Sequence, residues 1–177
     1  MQSFKLASGL GLLLIGLVGL SNSANAAFIR TQPPCVNASG YCLSFTDSTP
    51  PPVIRGFSFA APAGSTAQVT FHGSILCAVS PVVPSGKKVV DLTSQIVPTS
   101  ATAVNHNGRG GLRYNVTLDE FAGSIRGTDT FNLASTSDFY YAAAGTKYVY
   151  FKLAKLRMDS ATICYVYNAA FSVIVTP

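Results

Sequence analysis

Serine, histidine and aspartate are all present in this chain, so hydrolytic chemistry is the first to weigh, but their setting is wrong for it. No Gly-x-Ser-x-Gly elbow occurs, and the chain has only two histidines. His72 alternates with the polar positions of a strand-like run, and His106 sits in the loop Asn105-His106-Asn107-Gly108-Arg109-Gly110-Gly111. Both read as solvent-facing or locally hydrogen-bonded side chains. Asp119 and Glu120 are neighbours, and neighbours in a strand point to opposite faces. They do not make the pair of carboxylates, about 5 to 9.5 Å apart, that flanks a glycosidic bond. The other acids, Asp47, Asp91, Asp129, Asp138 and Asp159, are dispersed. No catalytic residue is assigned, and no cofactor is expected.

Binding chemistry has more to work with. The glycines around Arg109 lack the strand and helix context of a dinucleotide or phosphate loop and read as a hairpin connection. Arg109 with nearby backbone amides is still where an anion would be sought. Tyr148 and Tyr150 alternate with Val149 and Phe151, and Tyr165 and Tyr167 alternate with Cys164 and Val166. Were those two strands to pair, four phenol rings and Lys152 would form one aromatic face suited to a glycan, a protein or another copy of the chain. The competing expectation is that this face is covered by the N-terminal segment.

Four cysteines allow three pairings. Cys35 and Cys42 enclose a turn-forming insert that brings them together, which leaves Cys77 for Cys164. Zinc would need a different spacing, since no Cys-x-x-Cys pair exists. No metal site is expected.

The elements that must position these residues follow from the rest of the chain. Residues 1–26 have a basic start, an apolar run over 6–20 and small residues around Ala24-Asn25-Ala26. That is the build of a signal peptide, and the run is too short and glycine-broken for the roughly 20 residues of a spanning helix. Export to an extracellular or periplasmic space, where cysteines are normally paired, is the expectation, with no membrane insertion once the signal is cut. No lipid-attachment cysteine follows the signal, and the sequence ends without an apolar anchor.

Cleavage after residue 26 of the 177 leaves 151, about one domain, and removes only one charge, Lys5. Eleven basic residues then face seven acids, a formal charge of +4, and the basic residues are scattered. Nucleic acid needs a dense basic stripe, so it is excluded as a partner. Charged residues are only 11% of the chain, against roughly 25% in ordinary soluble domains, and Glu120 is the only glutamate. A surface made of Ser, Thr, Asn, Gln and Tyr, with few helix formers behind it, points to a β-rich body. Asn37-Ala38-Ser39 and Asn115-Val116-Thr117 match the N-glycosylation pattern, which means something only in a host with the machinery.

Residues 27–52, with Pro33-Pro34, the cystine ring and Pro50-Pro51-Pro52, read as a proline-rich arm that packs along the body or reaches away from it. From Val53 onward, short alternating runs are separated by turns. Strands are expected over 55–60, 67–79, 88–97, 112–121, 124–133, 139–143, 148–156 and 162–176. These eight make an all-β fold, an antiparallel β-sandwich of jelly-roll or immunoglobulin type spanning 53–177. In the clearest strand, Val69, Phe71, Gly73, Ile75, Cys77 and Val79 share the inward face. The last strand carries a conflict, because Cys164 and Val166 have one parity and Phe171, Val173 and Val175 the other. A bulge near Asn168-Ala169-Ala170 would bury both sets.

Phe71-His72-Gly73-Ser74-Ile75, Cys77-Ala78-Val79, Val90-Asp91-Leu92 and Tyr114-Asn115-Val116-Thr117-Leu118 follow an order of apolar and cysteine positions that resembles the subunits of chaperone–usher fimbriae, over about 50 residues. That resemblance implies an incomplete sandwich whose missing strand comes from the next subunit's arm. Two features depart from it: the next cysteine is Cys164, with Phe121 near the family's cysteine place, and the arm is proline-rich. The function expected is a secreted, non-catalytic surface, structural or recognition module. A fimbria-like polymerising subunit and a secreted hydrolase on a jelly-roll scaffold are the alternatives.

Overall fold

Alternating apolar residues fold into strands wherever the sequence places them, and the computed structural model sorts these strands into two antiparallel sheets packed face to face. It describes residues 27–35, 39–50, 52–79, 87–104, 112–118 and 128–177. The expected signal peptide, His106, Arg109, Asp119, Glu120 and the Asn37 sequon lie outside these residues. Among the described residues no helix is long and apolar enough to cross a membrane.

The described residues form nine strands: β1 (Phe28–Thr31), β2 (Leu43–Thr46), β3 (Val53–Ala61), β4 (Ser65–Val79), β5 (Lys88–Val97), β6 (Leu112–Leu118), β7 (Thr128–Tyr141), β8 (Gly145–Met158) and β9 (Thr162–Thr176). The front sheet runs β1-β9-β4-β7, with β2 also on β9, and the back sheet runs β3-β8-β5-β6. The all-β antiparallel sandwich is therefore as expected, with two differences in the strand list. The runs expected separately at 124–133 and 139–143 are one strand, β7, because Ala134 to Asp138 continues the pairing with β4 without a break. Its Ser and Thr residues fit a pleated, half-exposed edge, which a search for apolar alternation reads as a gap.

The second difference is the arm, which contains two short strands and packs along the body. β1 pairs with β9 from Phe28↔Val175 to Thr31↔Ser172, and β2 from Leu43↔Val166 to Thr46↔Ile163. They form one interrupted edge strand, with the cystine ring looping out between them. The arm fills this edge from within its own chain, where the fimbrial resemblance implied a strand from a neighbour.

The core lies between the sheets. Phe71 of β4 stacks on Phe151 of β8 with ring centroids 3.7 Å apart, and Phe171 of β9 meets Phe71 edge-on at 5.1 Å. Val69, Ile75, Cys77, Val149, Leu153, Val166, Val173 and Val175 are fully buried around them, joined by Phe45 from the arm. Burial of each such side chain is worth roughly 1.5–3 kcal/mol, so the arm is part of what holds the sandwich together.

β9 buries both of its parities through the expected bulge. Register with β4 shifts between His72↔Ala170 and Ser74↔Tyr167, so Asn168 and Ala169 together oppose Gly73. Asn168 has φ 52°, the left-handed conformation that asparagine tolerates better than most residues. A Cβ on Gly73 would lie 3.1 Å from Ala169 Cα and 3.2 Å from Tyr167 O, so only glycine lets the bulge come this close.

Candidate functional site

The tyrosines expected on one face lie on two. β8 belongs to the back sheet and β9 to the front sheet, so the two strands do not pair and their outward residues are on opposite sides of the sandwich. Tyr148, Tyr150 and Lys152 face out from the back sheet. Tyr165 and Tyr167 face out from the front sheet, where Tyr41 of the cystine ring lies against them, with centroids 5.1 and 6.4 Å away. The single aromatic face is thus corrected, while the expectation of a covering arm applies to the front pair.

The back-sheet pair retains an open surface. Gly56 and Ser58 of β3 stand opposite Tyr150 and Tyr148, and the small residues leave a shallow hollow of about 210 Å³ between the rings. Tyr150 lies over Gly56 so closely that a Cβ there would come 2.9 Å from its Cε1. Tyr148 is 53% exposed. Lys152 does not face this hollow as a free cation, because its Nζ donates to Ser100 O at 2.7 Å and Thr102 O at 2.5 Å.

A second hollow, about 320 Å³, opens on the front sheet at the bulge and is lined by His72, Gly73, Ser74, Asn132, Leu133, Ala134 and Asn168. Among the described residues no carboxylate lines it. Among the described residues no three His, Cys, Asp or Glu side chains converge.

The cysteines pair as expected. Cys77 and Cys164 are directly opposite on β4 and β9, Cα atoms 4.0 Å apart, and fully buried. Cys35 and Cys42 close the arm's ring with Cα atoms 5.2 Å apart. The ring is seated on the bulge, since Cys35 N–H donates to Ala169 O at 3.0 Å, Cys42 N–H to Val166 O at 2.6 Å, and Ala169 N–H to Cys42 Sγ at 3.4 Å.

Two residues that the sequence reading passed over complete this seat. Arg55 shares its parity with Phe57 and Phe59, so its side chain enters the seam between the sheets. There it donates to Ala169 O at 2.7 Å and to Pro33 O at 2.9 Å. Burial pushes its guanidinium down from the usual arginine range. Lys155 shares parity with Phe151 and Leu153, and its ammonium donates to the carbonyls of Thr46 and Asp47 at 3.0 and 2.6 Å and also to that of Thr49. The signal available in the sequence was parity itself: a cation on an apolar face must find a partner.

The remaining arginine pairs are local. Arg113 forks onto Asp91 at 2.9 and 2.5 Å and holds its carboxyl below the usual range. Arg157 does the same to Asp159, which also accepts from Val89 N–H at 2.8 Å. Part of the basic excess is instead in Arg55, Lys152 and Lys155, which bind backbone carbonyls rather than acids.

No family model matches the chain, and no curated relative does. Among solved structures it is similar to one of infectious bursal disease virus, Gt strain, at 10% identity and TM-score 0.37, covering 95% of this chain. It is also similar to the infectious bursal disease virus VP2 subviral particle at 12% identity and TM-score 0.34, covering 92% of this chain. The chain spans 37% of the length of each.

Proposed function

We propose that this chain is an exported, non-catalytic structural module, built to keep its shape in an oxidising space and to present β-sheet surface to its surroundings. The observation that carries this reading is the seated arm. Pairing of β1 and β2 with β9, the Cys35–Cys42 ring, Arg55 and Lys155 all serve to hold the arm on the sandwich, whose front sheet is itself tied by Cys77–Cys164. An arm so held is a poor donor for a neighbouring subunit, which weighs against the fimbria-like alternative. The surroundings of His72 weigh against the hydrolase.

The test is to recover the protein from the exported fraction, read its N-terminus and titrate its thiols. A start near residue 27, no free thiol and an arm resistant to protease until reductant is added are expected. A retained leader or four free thiols would overturn the reading.

A second reading is recognition of a planar ligand, such as a sugar ring, at the back-sheet hollow. The exposed ring of Tyr148 beside Ser58 and Gly56 supports it. Glycan binding lost in Tyr148→Ala but kept in Tyr165→Ala would favour it. Equal loss in both would end it.

A further inference from the structure

The arm is held unevenly along its length. β2 buries Phe45 to 1% exposure, and the Lys155 ammonium holds the carbonyls of Thr46, Asp47 and Thr49 just beyond it. β1 has no such anchor, since Phe28 is half-buried and Ile29, Arg30 and Thr31 are exposed. The residues after it add Gln32 Nε2 on Gly56 O at 3.1 Å and the Arg55 guanidinium on Pro33 O at 2.9 Å.

Between the two strands the cystine ring makes the join. Gln32 N–H donates to Phe171 O and Cys42 N–H to Val166 O, so residues 33–42 of the arm pass what residues 167–170 cover in β9. The extra length loops out. Cys35–Cys42, with Cα atoms 5.2 Å apart, closes that loop so that β1 and β2 meet β9 as one edge. Tyr41, inside the ring, lies on Tyr165 and Tyr167. The two cystines also differ in access. Cys77 and Cys164 are 0% exposed and lie between the sheets, where a thiol reaches them only if the sandwich opens. Cys35 and Cys42 are half-buried at the edge, beside the exposed Ser39 and Gly40. Exchange requires a thiolate to touch a disulfide sulfur, so access selects the ring.

We propose that Cys35–Cys42 is a redox latch: a dithiol opens it in the folded protein, residues 27–42 leave β9, and residues 43–49 stay seated. The latch rests on the cystine-held arm of the proposed function and adds that only its N-terminal half is switched. One thiolate of the reagent attacks Cys35 Sγ, and Cys42 departs as a thiolate on the sulfur that already accepts Ala169 N–H at 3.4 Å. The reagent's second thiolate displaces Cys35 from the mixed disulfide and closes the reagent's own disulfide, and the two protons end on Cys35 and Cys42. One cystine is reduced for each dithiol oxidised. Opening the ring returns its closure entropy to the released state, which raises the released population of this half about fiftyfold. Release uncovers Tyr165 and Tyr167 and leaves β9 an unpaired edge over residues 172–175. Redox state thus sets how much of the front sheet's edge is closed.

The test starts from oxidised, exported protein in which thiol titration finds no free thiol, so a failure of the cystines themselves is seen before the latch is tried. A dithiothreitol series under native conditions is quenched by alkylation and mapped by mass spectrometry, with amide hydrogen exchange on the same samples. Cys35 and Cys42 should be alkylated while Cys77 and Cys164 stay joined. Protection over residues 28–35 should fall about tenfold or more, protection over 43–46 should hold, and reoxidation should restore the first. Cys35→Ser combined with Cys42→Ser should show the released pattern without reductant. Opening of both cystines together, an open ring with 28–35 still protected, or loss across 28–46 as one unit would overturn the proposal. Mapping on the unsubstituted protein decides it even if the double variant fails to fold.

Discussion

Deleting Asn168 separates two roles the bulge could have. Cys164 and Val166 are inward on one parity, and Phe171, Val173 and Val175 on the other, with Asn168 the extra residue between them. Removing that residue leaves Gly73 opposite Ala169 and Phe71 still opposite Phe171, so β9 becomes regular and every apolar side chain stays inside. What is lost is the seat of the arm, because Ala169 O turns away from Cys35 N–H and the Arg55 guanidinium. One neutral and one charge-assisted hydrogen bond together come to about 2–4 kcal/mol. If β9 instead kept a bulge at Ala169 after the deletion, Phe171, Val173 and Val175 would turn outward at roughly 1.5–3 kcal/mol each, on the scale of a whole domain's stability.

Urea unfolding with limited proteolysis of the arm distinguishes these. The variant should unfold cooperatively with a modest loss, and the arm should become cleavable. Gly73→Ala supplies a cross-check: its Cβ meets backbone at 3.1 and 3.2 Å in the full chain, for a cost of about 1–3 kcal/mol. That cost should shrink in the deletion background. An unfolded deletion variant, or one whose arm remains protected, would refute the account.

Lys155→Met keeps the apolar stem but leaves the carbonyls of Thr46, Asp47 and Thr49 without their donor, and should destabilise by about 1–3 kcal/mol in thermal melts, with none of the loss recovered by added salt. Replacing Cys77 and Cys164 by alanine opens a sequence separation of 87 and should cost about 4.6 kcal/mol by chain entropy, against about 2.5 kcal/mol for Cys35 and Cys42 with a separation of 7; equal losses in denaturant would refute the entropic ordering. Asp91 and Asp159 have folded pKa values held down by Arg113 and Arg157, so their contribution is present above the unfolded value near 4 and is lost as pH falls through the folded one; acid titration of Asp91→Asn should show a shallower decline. Burial raises the pKa of Tyr114 and Tyr141, so their share of stability holds below about pH 10 and declines as pH rises past it, which alkaline titration by near-ultraviolet absorbance would follow.

Much of the fold was legible because the core obeys a period of two. β5 and β9 have the expected bounds, and the parity conflict within β9 falls where its bulge lies. Local signals failed where pairing decides the outcome. β1 and β2 are four residues each, too short to announce themselves, and exist because β9 offers them an edge. The Ser and Thr of β7 are indifferent to secondary structure until β4 imposes one. The tyrosine face failed for a stronger reason. Parity tells which residues of one strand share a face, but not which sheet the strand joins, and β8 and β9 are adjacent in sequence yet belong to different sheets.

The placement of charge links these points. A chain with so few ionisable groups can leave a surface sparsely charged only by putting its cations elsewhere, and on the described strands all but Arg30 sit on the back sheet or in the seam. Lys147, on the inward parity of β8, lies 5.1 Å from the ring of Tyr141, and Arg55 and Lys155 hold backbone carbonyls. Each of these fixes a boundary between elements, while the front sheet's outer face is mostly Thr, Ser, Asn, Gln and Tyr, with the exposed pair Ile29 and Ile174 at the arm's edge and Asp138 on β7. Of the front sheet's two edges, the arm forms one as an interrupted strand seated on β9, and β7, paired with β4 along its whole length, forms the other.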